Sequence, residues 1–320
     1  MSNTKVLITD HPWPELTIES QVLAHLGVHV LDAPDSSEQT LSRLAADADA
    51  IATCWAPVTE RVIQSATECR IICRMGIGLD NIDVTAATQR GIPVTNVPDY
   101  CVDEVADHAL AQLLALGRNI AFFHLRTKRG EYSLGEGPRM HRLRGQTLGL
   151  IGLGRIGRAV YERALPFGLK VMAYTPSGNN HGTGCQMVSL DELLETVDHI
   201  SIHAPLTDET RHMLDEKAFT KMKPGVLIAN TSRGPLVDPN ALWEAIQSNV
   251  VAGAALDVFQ PEPPDLGHPL YQSERVIVTP HAAFVSEESI IELRTRVAEQ
   301  IRDVLTGQRP PNIVNPEVLS

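Results

Sequence analysis

Three side chains of complementary type stand in the last third of the chain: Arg233 in NTSRGPLVD, Glu262 in ALDVFQPEP and His281 in TPHAA. A guanidinium is a planar fork that can grip a carboxylate with two hydrogen bonds. An imidazole titrates near neutrality and can give or take a proton, and a carboxylate beside it fixes the tautomer and favours the protonated form. Together these groups meet the needs of proton transfer to a carbonyl oxygen in a molecule that also carries a carboxylate. Taken singly, each has a plain structural role instead: a loop ion pair, a charged residue in a Pro-rich loop, a strand-end cap.

A second device lies upstream. Gly152-Leu-Gly-Arg-Ile-Gly157 follows the β-rich run TLGLI and opens a helical stretch. The first glycine of such a turn permits the tight bend, the second lets backbone approach a pyrophosphate, and the third lets helix and strand pack closely. Gly152, Gly154, Arg155, Ile156 and Gly157 are therefore expected to hold a dinucleotide, with Arg155 adding a charge-assisted bond to phosphate. In NAD sites an acidic residue after the second strand accepts the ribose hydroxyls. Here Thr175 stands at that place, followed by Ser177 and by no Arg or Lys through Gly184. NAD and NADP both stay open, with NAD slightly favoured.

These groups need elements to position them. From Lys5 to about residue 90, β-rich runs (KVLITD, VHVLDA, AIAT, RIICRM) alternate with amphipathic stretches at 17–26, 38–47, 59–66 and 83–90, the signature of βαβ units around a parallel sheet. An apolar helical stripe runs from Val102 to Leu114, with Gly117 as its stop. GEYSLGEGPRMHRLRG reads as a loop or excursion available for an oligomer contact. A second alternation of six strands begins at Thr147 and makes a doubly wound dinucleotide fold. In open parallel sheets ligands bind outside the carboxyl ends of the strands, which is where His203, Pro205, Thr231, Arg233, Asp257 and His281 fall. A last helix, capped by Ser286 and stopped by Gly307, returns to the first layer. The expected fold class is α/β: two doubly wound parallel-sheet domains, a Rossmann cofactor domain inserted in a discontinuous flavodoxin-like substrate domain. The expected boundaries are 1–101 and 285–320 for the substrate domain and 102–284 for the cofactor domain.

Composition narrows the partners. A formal charge of -12 over 320 residues provides no broad basic face, which argues against nucleic acid or an anionic membrane. No apolar run reaches a membrane span, and the first residues lack the pattern of a signal peptide, so the cytoplasm is the expected location. The five cysteines lack CxxC spacing and read as reduced packing residues, with no metal site expected.

At the motifs already quoted, with HAPLT at 203–207 added, the sequence resembles the D-isomer-specific 2-hydroxyacid dehydrogenases. The resemblance implies hydride transfer between NAD(P)H and a small 2-keto acid to give a D-2-hydroxy acid, in a homodimer. It assigns Arg233 to substrate binding, His281 to acid/base work and Glu262 to its support. Asp257 would contact the nicotinamide carboxamide. RMGIGLDNID resembles the family's substrate loop, whose backbone N–H groups at Gly76, Ile77 and Gly78 would hold the carboxylate. PHAAFVSEES looks most like the C-terminal-binding-protein branch, so Phe284 is expected to line the substrate pocket, or else to pack in the hinge. Trp55, Tyr100, His141 and Arg142 are weaker pocket candidates. That branch also supplies the alternative reading, a cofactor-sensing dimeric scaffold. Departures from the family pattern are Thr175 in place of an acidic residue and Asp107 in place of Glu.

Overall fold

A computed structural model describes residues 4–319. The chain divides into two compact units, one made of residues up to 100 and from 286 onward, the other of residues 101–285.

In the first unit β1 (Lys5–Ile8), α1 (Thr17–Leu23), β2 (His29–Asp32), α2 (Glu38–Ala45), β3 (Ala50–Thr53), α3 (Glu60–Ser65), β4 (Ile71–Arg74), α4 (Val84–Gln89) and β5 (Val94–Thr95) alternate. The strands pair in parallel in the order β2-β1-β3-β4-β5. Strands β3 and β4 are buried at every residue, as a parallel sheet covered on both faces requires. Ser37, Thr59 and Asp83 start α2, α3 and α4 by accepting a backbone N–H two or three residues into each helix.

The second unit begins with α5 (Val102–Gly117) and α6 (Ile120–Lys128). It continues through β6 (Thr147–Ile151), α7 (Arg155–Ala164), β7 (Lys170–Tyr174), β8 (Gln186–Met187), α8 (Leu190–Thr196), β9 (His199–Ile202) and α9 (Glu216–Lys221). It ends with β10 (Val226–Asn230), α10 (Pro239–Gln247), β11 (Val251–Leu256), α11 (Pro269–Gln272) and β12 (Val276–Val278). Its strands form one parallel sheet in the order β12-β11-β10-β9-β6-β7-β8, which reverses direction between β6 and β9 and so opens a crevice there. Seven strands replace the six expected, because the two-residue β8 adds to the edge beside β7. Helix α6 was also not expected; it starts after Asn119, whose backbone is left-handed at φ 52°. The stretch after it, 130–146, has no helix or strand, as the sequence implies. Asp107 and Asp103 on α5 bind Arg163 on α7 at 2.6 and 2.5 Å, which ties the cradle's helix to its neighbour.

The chain closes with α12 (Glu287–Leu305), which belongs to the first unit and packs on α1. Ser286 and Ser289 form a reciprocal capping box at its start. Arg294 projects from α12 onto α1, where Nε and Nη2 donate to the two oxygens of buried Glu19 at 2.9 and 2.6 Å. All five cysteines are free and buried, and among the described residues no helix is long and apolar enough to cross a membrane.

Candidate active site

The carboxyl edge of the seven-stranded sheet gathers most of the residues singled out by sequence. The turn after β6 bends at Gly152, where φ is 102°; a Cβ there would meet the backbone of His203 and Ala204 at 2.6–2.8 Å. A Cβ at Gly157 would come within 2.2 Å of the Gly152 carbonyl oxygen, so helix α7 can sit this close to the turn only without a side chain. Gly154 differs: no protein atom lies within 4 Å of its Cβ position, and the first turn of α7 opens there to solvent. Tight protein contact at two glycines and open space at the third is the shape of a phosphate cradle at a helix N-terminus. Arg155 lies exposed beside it.

Other predicted cofactor contacts follow β7, β9 and β10 at the same sheet edge. The hydroxyl of Thr231, just past β10, is buried and has no hydrogen-bond partner, the state expected of a group awaiting a ligand. Thr175 follows β7, its hydroxyl 3.4 Å from that of Ser177. His203 presents mainly backbone to the cradle, because its Nε2 lies 2.8 Å from the hydroxyl of fully buried Ser201. Burial pushes the His203 imidazole down to about 4, so it is neutral at physiological pH. Pro205 is exposed and its carbonyl accepts from the Thr210 hydroxyl at 2.8 Å.

The proposed acid/base group and its support stand together. Nδ1 of His281 lies 2.8 Å from Oε2 of Glu262, although 19 residues separate them in sequence. The other oxygen of Glu262 accepts the N–H of Phe259 at 2.8 Å. Partial burial pushes the Glu262 carboxyl up; the His281 hydrogen bond and charge, the Phe259 N–H and the charge of Arg233 outweigh this and hold it below its ordinary 4.5. Arg233 sits in extended backbone past β10, in a loop pinned by buried Asn230. That side chain donates to the Arg233 carbonyl and accepts the Ser232 N–H at 2.9 and 3.0 Å. Phe284 stands edge-on to the His281 ring with centroids 6.0 Å apart, close enough to shape what reaches the imidazole.

Asp257 departs most from its expected role. It has no exposed surface, and its carboxylate accepts from the Thr279 hydroxyl and from the N–H groups of Ala282 and Ala283. Its carboxylate serves the segment that carries His281 and shows no surface for a carboxamide. Sequence reasoning missed Thr279 as part of this arrangement, though it lies two residues from His281 in the quoted TPHAA motif.

In the other unit, the segment 75–83 follows β4. Gly76 has φ +152°, and a Cβ there would meet Nη1 of buried Arg74 at 2.5 Å. Val97 N–H donates to the Gly76 carbonyl at 3.0 Å and Asn96 Nδ2 to that of Ile77 at 2.8 Å. Among the described residues, the N–H groups of Gly76, Ile77 and Gly78 donate to no protein acceptor. A nest of free N–H groups with its carbonyls tied back suits an anion. Of the weaker pocket candidates, Tyr100 is buried, while Trp55, His141 and Arg142 are exposed.

Comparison with known proteins gives concordant results. The profile of the D-isomer specific 2-hydroxyacid dehydrogenase, NAD binding domain, matches residues 110–283. A glyoxylate reductase of Korarchaeum cryptofilum is 38% identical over 295 residues, covering 90% of this chain and 89% of the relative. A D-3-phosphoglycerate dehydrogenase of Methanocaldococcus jannaschii is 39% identical over 97% of this chain, which spans 59% of that relative's length. Among solved structures, D-lactate dehydrogenase from Aquifex aeolicus, complexed with NAD and lactic acid, superposes with a TM-score of 0.89 at 30% identity, covering 98% and 99% of the two chains. The narrower likeness to the C-terminal-binding-protein branch finds no support in these relatives.

Proposed function

The chain belongs to the D-isomer specific 2-hydroxyacid dehydrogenase family, and from that premise we propose that it reduces a small 2-keto acid to the D-2-hydroxy acid, with His281 as proton donor. The single observation that carries this reading is the 2.8 Å bond between His281 Nδ1 and Glu262, on the same sheet edge as the glycine cradle.

Gly152, Gly154, Ile156 and Gly157 would hold the pyrophosphate through backbone, with Arg155 beside it, and Thr231, Pro205 and the His203 backbone would contact the rest of the cofactor. The nicotinamide, when bound, supplies the hydride that C2 of the keto acid accepts. Nδ1 of His281 is bonded to Glu262, and Nε2 gives its proton to the keto oxygen as C2 is reduced; the neutral ring then regains a proton from water. The carboxylate of Glu262 stabilises the imidazolium before transfer. Arg233 grips the substrate carboxylate, and Phe284 limits the group on C3. Asp257 enters through the backbone of the His281 segment.

NAD is the proposed cofactor: the hydroxyls of Thr175 and Ser177 accept and donate to a diol, and no Arg or Lys between 176 and 184 is available to grip a 2′-phosphate. We also propose a homodimer built on the 120–140 stretch, where Tyr132 and Leu134 are 94% and 88% exposed and Ile120, Leu125 and Met140 lie open nearby. The five free thiols suit a reducing compartment, and the cytoplasm is the proposed location.

The test mixes the protein with NADH or NADPH and a panel of glyoxylate, pyruvate, hydroxypyruvate and longer 2-keto acids, following absorbance at 340 nm. Turnover with NADH is expected, together with a loss of roughly 1,000-fold or more in His281→Asn, the range of general acid catalysis. Cofactor binding without oxidation by any acid would refute the reading.

A further inference from the structure

His281 is held in a left-handed backbone conformation, φ 52°, that residues other than glycine avoid. Neither Glu262 nor Phe284 accounts for this, because both act on the ring. Asp257 does account for it. Its carbonyl accepts the His281 N–H at 2.8 Å, and its Oδ1 and Oδ2 accept the next two N–H groups, of Ala282 and Ala283, each at 2.9 Å.

A fully buried carboxylate must itself be held by donors. Thr279 gives its hydroxyl proton to Oδ1 of Asp257 at 2.5 Å. A hydroxyl has one proton, so the Thr279 oxygen can then only accept. It accepts from Nε2 of Gln112 on α5 at 3.2 Å, and Nε2 of His108, on the same helix, lies 3.2 Å from that oxygen and 3.1 Å from the amide nitrogen. The bonds from Gln112 to Thr279 and from Thr279 to Asp257 thus run in one direction, from helix α5 to the turn that carries His281. Gln112 is buried and lies outside every motif on which the proposed chemistry rests.

We propose that Thr279 and Gln112 are positioning residues for proton transfer: through Asp257 they fix the turn from which His281 presents its ring. The proposal rests on His281 as the proton donor. Displacing a reacting group by about an ångström can cost a hundredfold in rate while ligand binding is kept.

The experiment compares Thr279→Val, which keeps the shape and loses the hydroxyl, with Thr279→Ser and Gln112→Leu. In Thr279→Val, kcat is expected to fall roughly 10- to 100-fold, with NADH affinity by fluorescence titration within about twofold of wild type. Thr279→Ser should recover kcat to within about threefold, and Gln112→Leu should fall between the two. A second readout does not depend on turnover. In 15N-histidine NMR, with the His281 ring signal assigned by His281→Asn, one sharp resonance is expected in wild type and Thr279→Ser, and a shifted or split one in Thr279→Val. An unchanged His281 signal in Thr279→Val, a serine variant as impaired as valine, or a loss of NADH affinity equal to the loss of kcat would each overturn the proposal. A wild-type protein that turns over no 2-keto acid would instead refute the function, leaving the NMR comparison to judge the positioning.

Discussion

Adding one methyl group at each of two glycines in the cradle should separate folding from cofactor binding. In Gly157→Ala the new Cβ falls 2.2 Å from the Gly152 carbonyl oxygen, a rigid backbone atom. Ordinary carbon–oxygen contact requires about 1 Å more, so α7 must back away from the turn, and overpacking of this kind costs roughly 1–3 kcal/mol. For a domain of this size that is a fall in Tm of roughly 2–12 °C. In Gly154→Ala the Cβ meets no protein atom within 4 Å, and the backbone, at φ -69° and ψ -159°, suits alanine. The weaker N-cap costs at most about 1 kcal/mol. The methyl instead occupies the open face where phosphate must approach the helix N-terminus. A loss of roughly 10- to 100-fold in NADH affinity follows, equivalent to about 1.4–2.8 kcal/mol. Thermal unfolding without ligand and NADH fluorescence titration measure the two effects separately. Gly154→Ala binding NADH as wild type does, or Gly157→Ala unfolding at the wild-type temperature, would refute the assignment of these glycines.

Three further outcomes follow from the same structure. Glu262 has its carboxyl held below the ordinary 4.5, so it stays ionised as pH falls past that value and its support of His281 is lost only in stronger acid. The acid limb of kcat that belongs to Glu262 should thus lie below pH 4.5 and vanish in Glu262→Gln, whose kcat should drop by about 100-fold; a pH–rate profile with the limb intact in the variant contradicts this. Burial holds His199 and His203 down to about 4 from 6.5, so between those values the unfolded chain takes up protons that the folded chain does not. Stability should decline as pH falls from 6.5 towards 4, by up to about 3 kcal/mol for each ring. Urea unfolding at several pH values should show a shallower decline in His199→Gln, and equal slopes would count against the assignment. Finally, Arg294→Leu leaves Glu19 buried without its partner and should cost about 3–5 kcal/mol in urea unfolding, whereas the double variant Glu19→Leu/Arg294→Met should recover most of that loss.

Much of the architecture was legible locally. Strands such as AIAT and IICR announce a covered parallel sheet, and Ser286 with its two glutamates announces α12, because burial on both faces and helix capping act over a few residues. The exceptions have local causes too. Strand β8 is two residues long and cannot display a period, and α6 follows a left-handed Asn119 with apolar side chains spread around its axis, Ile120 and Leu125 being exposed while Phe122 is buried. The GLGRIG turn was legible because strand, turn and helix are adjacent in sequence.

By itself, then, the sequence determined which chemical groups are present, that parallel strands carry them at their carboxyl ends, and that a glycine turn opens a helix among them. Tertiary structure alone decided that His281 and Glu262 meet, that the His203 ring turns onto Ser201, and that Asp257 is walled in by Thr279 and the turn it holds. The reason is that backbone periodicity and capping depend on neighbours within a few residues. Which segments come within 3 Å of one another depends instead on the order in which β9, β10, β11 and β12 line up, and no local pattern records that order.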